Sequence, residues 1–407
     1  MVTDVAPGSS STPPRALVVC PVLPYPATSG GRKRTLRLLE AAERAGARPH
    51  LLATGHAEED RSAAALRGRG WDVDLSLEVD PGPLDRLRQH LRRRPTPYDK
   101  DLAARLRHWH HDPPAFVQAE HPRSAYYRSQ YPTERWILSM HNVDSAALAS
   151  VARTSRPGVA WARAWNRSLA SRTVERTVVP AATAVLCVGD DDAAQLEALG
   201  GTIVVAPNGI DREILAIPDT LPADEVVLCT GRLDYAPNAL GIERFVREGW
   251  PRVAQARPGA RLRVVGGGIQ ASLARAIADA PRAEAPGVVD DIVVELTRAR
   301  LVVVPVWQGG GVRLKALEAL GAARPVVGTP FGMAGSGFVP DHDGLVAHQP
   351  ADLGDAAVAL LADPERSAAL AASGRARVQP FEWSRALAPA EALYARLVEE
   401  ASTSHDS

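Results

Sequence analysis

The sequence predicts an α/β protein made of two parallel-sheet units in tandem. Short apolar, β-branched runs alternate with amphipathic helical stretches, the grammar of strands covered by helices on both faces. The grammar breaks at a turn and a polar segment near residues 207–224, then restarts. A chain of 407 residues is also long enough for two domains, each with its own core.

The elements follow in order. Residues 1–15, rich in Ser and Pro, are expected to be a disordered leader and lack the apolar centre of a signal peptide. Ala16–Pro21 reads as a buried strand, a Pro/Gly turn follows, and a helical pattern begins near Gly31. His50–Ala53, Phe116–Gln118, Trp136–Met140, Ala184–Val188 and Ile203–Ala206 are further strands of a first unit, residues 16–210. Pro207-Asn208-Gly209 signals a turn, and residues 211–222 read as a polar linker. The second unit, residues 223–380, brings Val226–Thr230, Leu262–Val265, Leu301–Pro305 and Val326–Val327. Pro350–Leu361, Pro364–Val378 and Trp383–Glu400 carry apolar residues at helical spacing, and residues 401–407 read as a disordered tail. Two open α/β units joined this way leave a cleft, with ligands expected at the carboxyl ends of the strands.

Composition narrows the function. Lys+Arg and Asp+Glu are 47 each, so no net field favours nucleic acid or an acidic membrane. No apolar stretch approaches the length of a membrane span. Cys20, Cys187 and Cys229 lie far apart inside apolar runs, as buried thiols in a reducing compartment would, and a cytoplasmic protein is expected. Of the basic residues 44 are arginine, and the lysines are Lys33, Lys100 and Lys315. Asparagine occurs four times, at 142, 166, 208 and 238. A lysine or asparagine beside a Gly-rich loop therefore departs from the chain's Ala/Arg/Pro bias.

The segment from Val304 to Gly328 concentrates the chemistry. A strand ends near Pro305, and Gly309, Gly310 and Gly311 let the backbone approach a ligand closely. A helix then begins, with free N–H groups and its positive dipole end towards the cleft. Arg313 and Lys315 add cations to that first turn, where they oppose the dipole; a bound anion would resolve the conflict. Glu318, one turn on, is placed to accept two ribose hydroxyls. The bland reading is a helix start with solvated charges and a salt-bridged Glu318.

This stretch resembles the donor-binding segment of glycosyltransferase family 4, in the branch whose loop reads Gly-Gly-(Gly/Thr)-x-Arg-x-Lys-x-x-Glu-Ala. Gly231-Arg-Leu-Asp-Tyr-Ala-Pro-Asn-Ala239 resembles that branch's first C-domain loop, and Pro207-Asn-Gly-Ile-Asp211 its interdomain turn. His141-Asn-Val-Asp-Ser145, Pro24-x-Pro26 and Gly30-Gly31 fit as well, so the resemblance runs from about residue 16 to 390. It implies the GT-B fold: two Rossmann-like domains facing across a cleft, with a C-terminal helix, residues 381–400, crossing back to the N-domain. It also implies a retaining transferase that takes its sugar from a nucleotide-diphosphate donor, with no metal and no other cofactor. Arg232 and Lys315 would hold the diphosphate with Arg313 near it, Glu318 the ribose, and His141 would sit beside the donor sugar. Gly30, Gly31 and Asn238 would line the cleft. Many family members carry a second glutamate eight positions before the ribose-binding one; here that position is Gly310.

Each residue has a structural rival. Arg232 follows an apolar strand and either reaches phosphate or pairs with Asp234. His141 follows a strand directly and is either a sugar contact or a satisfied loop histidine. Arg32, Lys33 and Arg34 after the two glycines read as a partly solvated face with one cation touching ligand. Gly266-Gly-Gly-Ile-Gln-Ala271 matches a dinucleotide fingerprint, with Asp290 and Asp291 about 20 residues on, and underlies a dehydrogenase alternative. Asp190-Asp191-Asp192 contains a metal-dependent D-x-D pattern but reads as an N-cap with first-turn carboxylates. His108, His110 and His111 lack a fourth zinc partner. The run Arg86–Arg94 is a solvated helix face or a peripheral contact with a membrane or acidic acceptor. The acceptor stays open: a small molecule, glycan or lipid-linked group, joined through oxygen, nitrogen or sulfur. A GT-B-like binding subunit without catalysis is the remaining rival.

Overall fold

The structure is a computed structural model, which describes residues 13–55, 59–77, 100–154, 158–309 and 314–405. Two wholly parallel sheets stand in sequence. The first has seven strands in the order β3-β2-β1-β4-β5-β6-β7. They are β1 Arg15–Cys20, β2 Arg48–Gly55, β3 Asp72–Leu77, β4 Phe116–Glu120, β5 Trp136–Ser139, β6 Ala184–Cys187 and β7 Ile203–Val205. The second has six, in the order β10-β9-β8-β11-β12-β13. They are β8 Val226–Thr230, β9 Arg261–Val265, β10 Ala283–Gly287, β11 Leu301–Val304, β12 Val326–Gly328 and β13 Leu345–Val346.

Both faces of each sheet are covered, which is why the central strands read as continuous apolar runs. Alternate residues of β1 serve opposite cores: Leu17 and Val19 pack with Val117, Leu138 and Val185, whereas Ala16 packs with Phe116, Ile137 and Leu186. In the second sheet Val227, Cys229 and Val303 face one core, and Leu228, Val302 and Val304 the other. The strands without a sequence signal are β3, β10 and β13. All three are sheet edges, where one flank is open and polar residues such as Asp72, Asp74 and Glu284 are tolerated.

The segment read as a polar linker is partly packed. Arg212–Leu215 forms a helical turn, and Ile210, Ile214 and Ile217 are buried in the second domain's core. The C-terminal helix is split into a turn, Trp383–Ala386, and a long helix, Ala388–His405. The long helix packs on the first domain: Leu393, Tyr394 and Leu397 join Ala16, Phe116 and Ile137, and the Tyr394 ring stacks on Phe116 at 5.1 Å. Residues 401–405, expected to be irregular, continue this helix because Ala401 is buried against the same core. Of the expected leader, residues 1–15, residues 1–12 lie outside the described residues, as do the Arg86–Arg94 run and residues 406–407, while Arg15 already belongs to β1. No helix among the described residues is long and apolar enough to cross a membrane.

The chain passes between the sheets twice, at one place. Ile210 and Glu382 form a parallel bridge, with Ile210 N donating to Phe381 O at 2.6 Å and Trp383 N to Ile210 O at 3.3 Å. Gly209 makes this crossing close: a Cβ there would stand 2.7 Å from Trp383 Cα and 2.6 Å from its ring. Gly209→Ala should therefore cost about 1–3 kcal/mol by overpacking. Gly259→Ala, where a Cβ would meet nothing within 4 Å, serves as the control and should stay within about 0.5 kcal/mol of wild type. Urea unfolding of the two variants compares them; equal stability would remove Gly209 from this role.

Candidate functional site

Strand order reverses once in each sheet, between β1 and β4 and between β8 and β11. Right-handed crossovers send the adjoining helices to opposite faces there, which opens a crevice beyond the carboxyl ends. The loops at these two crevices build the site.

On the first side, β1 leads through a loop into the helix Gly30–Arg44, where the Ser29 hydroxyl accepts from Arg32 N at 3.3 Å as N-cap. β4 ends in Glu120, and His141 stands two residues beyond β5. His141 Nε2 lies 2.8 Å from Glu120 Oε2. Glu120 is only 1% exposed and also accepts from Thr35 Oγ1 at 3.0 Å and Gln118 Nε2 at 2.6 Å. Tyr394 of the C-terminal helix donates to Gln118 Oε1 at 2.6 Å and so supports the same carboxylate. Burial pushes the Glu120 carboxyl up, but the hydrogen bond from His141 and the field of His141 and His121 outweigh it and hold it at about 2. An ionised carboxylate only accepts, so His141 carries its proton on Nε2. Its Nδ1 then faces the helix start, where a Cβ on Gly31 would stand 3.1 Å away.

His121 completes this group. Its backbone sits in the left-handed region at φ 68°, and its ring centroid is 4.2 Å from that of His141. Burial, then the neighbouring His141, lower its imidazole to about 3.

On the second side, Gly231 at φ 146° turns the chain out of β8. Arg232, predicted for phosphate, is held by Asp234 through Nε at 3.0 Å and a terminal nitrogen at 2.6 Å. The pair is about half exposed, and such pairs contribute about 0–1 kcal/mol, too little to keep the guanidinium from a diphosphate. Lys315 Nζ donates to Asn238 Oδ1 at 2.5 Å, and Asn238 Nδ2 donates to Arg232 O at 2.9 Å. Three residues singled out in the sequence thus meet in one cluster. Gly309 is buried at φ 122°; Gly310, Gly311 and Arg313 lie outside the described residues.

Glu318, predicted for ribose, is 2.8 Å from Lys33 Nζ of the other domain, and Lys33 also reaches Asp211 Oδ2 at 2.8 Å. Burial lowers the Lys33 ammonium's pKa, but the carboxylates of Glu318 and Asp211 outweigh that and raise it. Arg32 and Lys33 stay partly exposed, and the expected partly solvated face is corrected at Arg34. Arg32 pairs with Glu59 at 3.2 Å, and Arg34 is buried, donating to Ala206 O at 2.7 Å and Asn208 Oδ1 at 3.3 Å. Part of the helix start faces the second domain and the crossing chain, through Lys33 and Arg34. Contact between the domains is direct there: a Cβ on Gly30 would stand 2.8 Å from Leu314 Cδ1.

The discounted motifs have structural explanations. A Cβ on Gly266 would stand 1.8 Å from Gly231 O, and one on Gly268 2.7 Å from Asp234 Cβ, so these glycines serve loop packing. Asp291 caps a helix, accepting from Val293 N at 2.8 Å. Asp190, Asp191 and Asp192 occupy the first turn of a helix whose N-cap is Gly189, so Asp190 is not the cap. His108 ends a helix, and His110 and His111 form the single turn after it.

Comparison with known families agrees with this geometry. A family model described as Glycosyltransferase Family 4 matches residues 28–214, and one described as Glycosyl transferases group 1 matches residues 224–363. The chain is a family 4, group 1 glycosyltransferase. Sucrose-phosphate synthase from Thermosynechococcus elongatus has the same fold at 20% identity and a TM-score of 0.68, covering 95% of this chain and 100% of that one. HepE from Anabaena, solved with UDP and glucose, matches at 17% identity and a TM-score of 0.65, with 96% and 100% covered. TarM from S. aureus, in a complex containing UDP, matches at 11% identity and 0.65, with 93% and 99% covered. No curated protein sequence matches significantly. The dehydrogenase alternative falls with this assignment.

The residues missed in the sequence are Glu120, His121 and Asp211, the last a partner of Lys33. A carboxylate closing the apolar run Phe116–Glu120 is the signal that marks Glu120. His121 also carries a pH prediction. Its folded value of about 3 lies below the ordinary 6.5, so between these values the unfolded chain binds a proton that the native one does not. The stability is full above pH 6.5 and is lost as pH falls towards 3. His121→Asn, which tolerates the left-handed backbone, should flatten the stability profile across that window. Urea melts at stepped pH measure it; an unchanged slope would show that His121 is not the group titrating.

Proposed function

We propose that this glycosyltransferase transfers a sugar from a nucleoside diphosphate donor with retention of anomeric configuration and without a divalent metal. One observation carries the reading. Consecutive glycines touch the two halves of the site: Gly31 lies against His141, and Gly30 against Leu314, the residue before Lys315. A sugar bonded to a diphosphate at Lys315 would therefore reach His141.

The donor would lie along the second domain. Lys315, Arg232 and the helix start after Gly309 take up the negative charge that grows on the leaving diphosphate, the part a metal ion plays elsewhere. Asn238 aims the Lys315 ammonium. Glu318 would turn to the ribose hydroxyls while Lys33 keeps its bond to Asp211. His141 would accept a sugar hydroxyl on Nδ1, its orientation held by Glu120. Glu120 is sealed behind His141 and Glu318 is committed to ribose, so neither serves as a covalent nucleophile. A same-face reaction follows: the anomeric carbon–phosphate oxygen bond breaks, the acceptor oxygen bonds to that carbon, and its proton passes to the departing phosphate. The HepE and TarM structures contain UDP, so UDP-sugars are the first donors to test, ahead of GDP-, ADP- and dTDP-sugars. The acceptor is a small molecule, glycan or lipid-linked group. The buried free thiols Cys20, Cys187 and Cys229 fit a cytoplasmic enzyme.

Lys315→Ala should lose about 2–4 kcal/mol of transition-state stabilisation, read in kcat/KM. His141→Ala should leave calorimetric nucleotide binding nearly intact yet slow single-turnover transfer by about 10²–10⁴-fold. Normal transfer by a folded His141→Ala enzyme would remove the residue from the site, and a wild type that binds donor without ever turning over would leave a binding subunit. Turnover should survive EDTA; loss restored by Mg²⁺ or Mn²⁺ would overturn the metal-free mechanism.

A further inference from the structure

His141 stands on a short loop between two fixed points. At one end Met140 keeps the register of the sheet, donating its N–H to Leu186 O of β6 at 2.9 Å. At the other end the helix Asp144–Thr154 begins. Val143 O accepts from Ala147 N at 2.9 Å, so Val143 holds the capping position, and its side chain is buried in the first domain's core. An apolar side chain accepts no hydrogen bond, so this helix start cannot be capped from its own N-cap residue.

The missing cap comes from 30 positions away. Glu175 lies on the helix Val159–Val178, which packs against Asp144–Thr154, and is 1% exposed. Its Oε1 accepts from Ser145 N at 2.9 Å and its Oε2 from Ser145 Oγ at 2.5 Å, and the Asp144 backbone N–H donates to it as well. The carboxylate thus faces the positive end of the helix dipole, which favours an anion there. Ser168 of the same helix adds a second tie, donating through Oγ to Ser145 O at 2.8 Å. The N–H, the hydroxyl and the carbonyl of Ser145 are all held by one neighbouring helix.

We propose that Glu175 is a positioning residue for sugar transfer: by capping the helix at Ser145 it fixes the backbone of the loop that carries His141. Two carboxylates then divide the work. Glu120 sets the tautomer and direction of the His141 ring, and Glu175 sets where the loop holds that ring. A hydrogen bond to Glu120 fixes one ring nitrogen but leaves a loose backbone free to carry the other away from Gly31. Glu175 acts through Ser145, four positions after His141, and needs both its oxygens there, one for the N–H and one for the hydroxyl. Its effect on transfer rests on the placement of His141 beside the donor sugar; its hold on the loop does not.

Release of UDP from UDP-glucose by the full chain tests the proposal, with rates taken per folded molecule. Glu175→Ala should lower kcat by about 10–10²-fold, the scale of an ångström's misplacement, and leave donor KM within about threefold. Glu175→Gln keeps one oxygen for Ser145 N and should recover most of that loss. Val178→Ala, in the same helix and packed in the same core, should lower the melting temperature and leave kcat unchanged. If Glu175→Ala does not fold, Glu175→Asp, which withdraws the oxygens by one methylene, takes its place. A kcat for the Glu175 variant equal to that of Val178→Ala would overturn the proposal. The His141 imidazole gives a second reading that needs no turnover. In protein labelled with 15N-histidine its signals, assigned by their loss in His141→Asn, should move in the Glu175 variant and stay in place in Val178→Ala. Unmoved signals in the folded Glu175 variant would also overturn the proposal. Moved signals beside a wild type that never consumes donor would uphold the hold on the loop and count against the donor assignment instead.

Discussion

Ile210 and Glu382 bridge side by side where the chain leaves the first sheet and where it returns. Both sheets are parallel, so each gathers its functional loops at one end. The double crossing turns those ends towards each other. Gly209 permits the approach of Trp383, which is buried and begins the turn into the C-terminal helix. The meeting of Gly30 with Leu314, and hence of His141 with the Lys315 region, depends on this single pairing of backbone.

The crossing also supplies the support for His141. Tyr394, Gln118, Glu120 and His141 form a chain of hydrogen bonds from the C-terminal helix to the cleft. A buried carboxylate is costly unless its lone pairs are used, and Glu120 has partners in His141, Gln118 and Thr35. Its gain is orientation: an acceptor locked behind the ring leaves the imidazole one tautomer. The helix that closes the fold thereby reaches the chemistry through two side chains.

Lys33, Asp211 and Glu318 form the electrostatic counterpart on the other side. One ammonium serves two carboxylates, one from the interdomain segment and one from the helix after the Gly-rich loop. A ribose that takes Glu318 leaves Lys33 its bond to Asp211, while Arg37 holds the other Asp211 oxygen at 2.7 Å. In the proposed donor pose, donor binding and domain contact would share the same residues, which would couple them without any additional element.

Much of this protein is local and therefore legible in the sequence. The central strands are apolar runs because both their faces are buried, and Arg232, Lys315, Glu318 and His141 stand out because each follows such a run or a glycine turn. The edge strands β3, β10 and β13 escape because an open flank removes the apolar pattern. Arg34 is misread because a helix start packed against the crossing chain has the same sequence as one facing water. Glu120 and His141 are separated by 21 positions, Lys33 and Glu318 by 285. The sequence by itself determined the class, the order of elements and which residues sit at strand ends, since backbone periodicity acts over a few residues. Only the tertiary structure decided which carboxylate holds His141, which pairs with Lys33 and which cations are buried, because burial and ion pairing are set by distant segments that the fold brings within 3 Å.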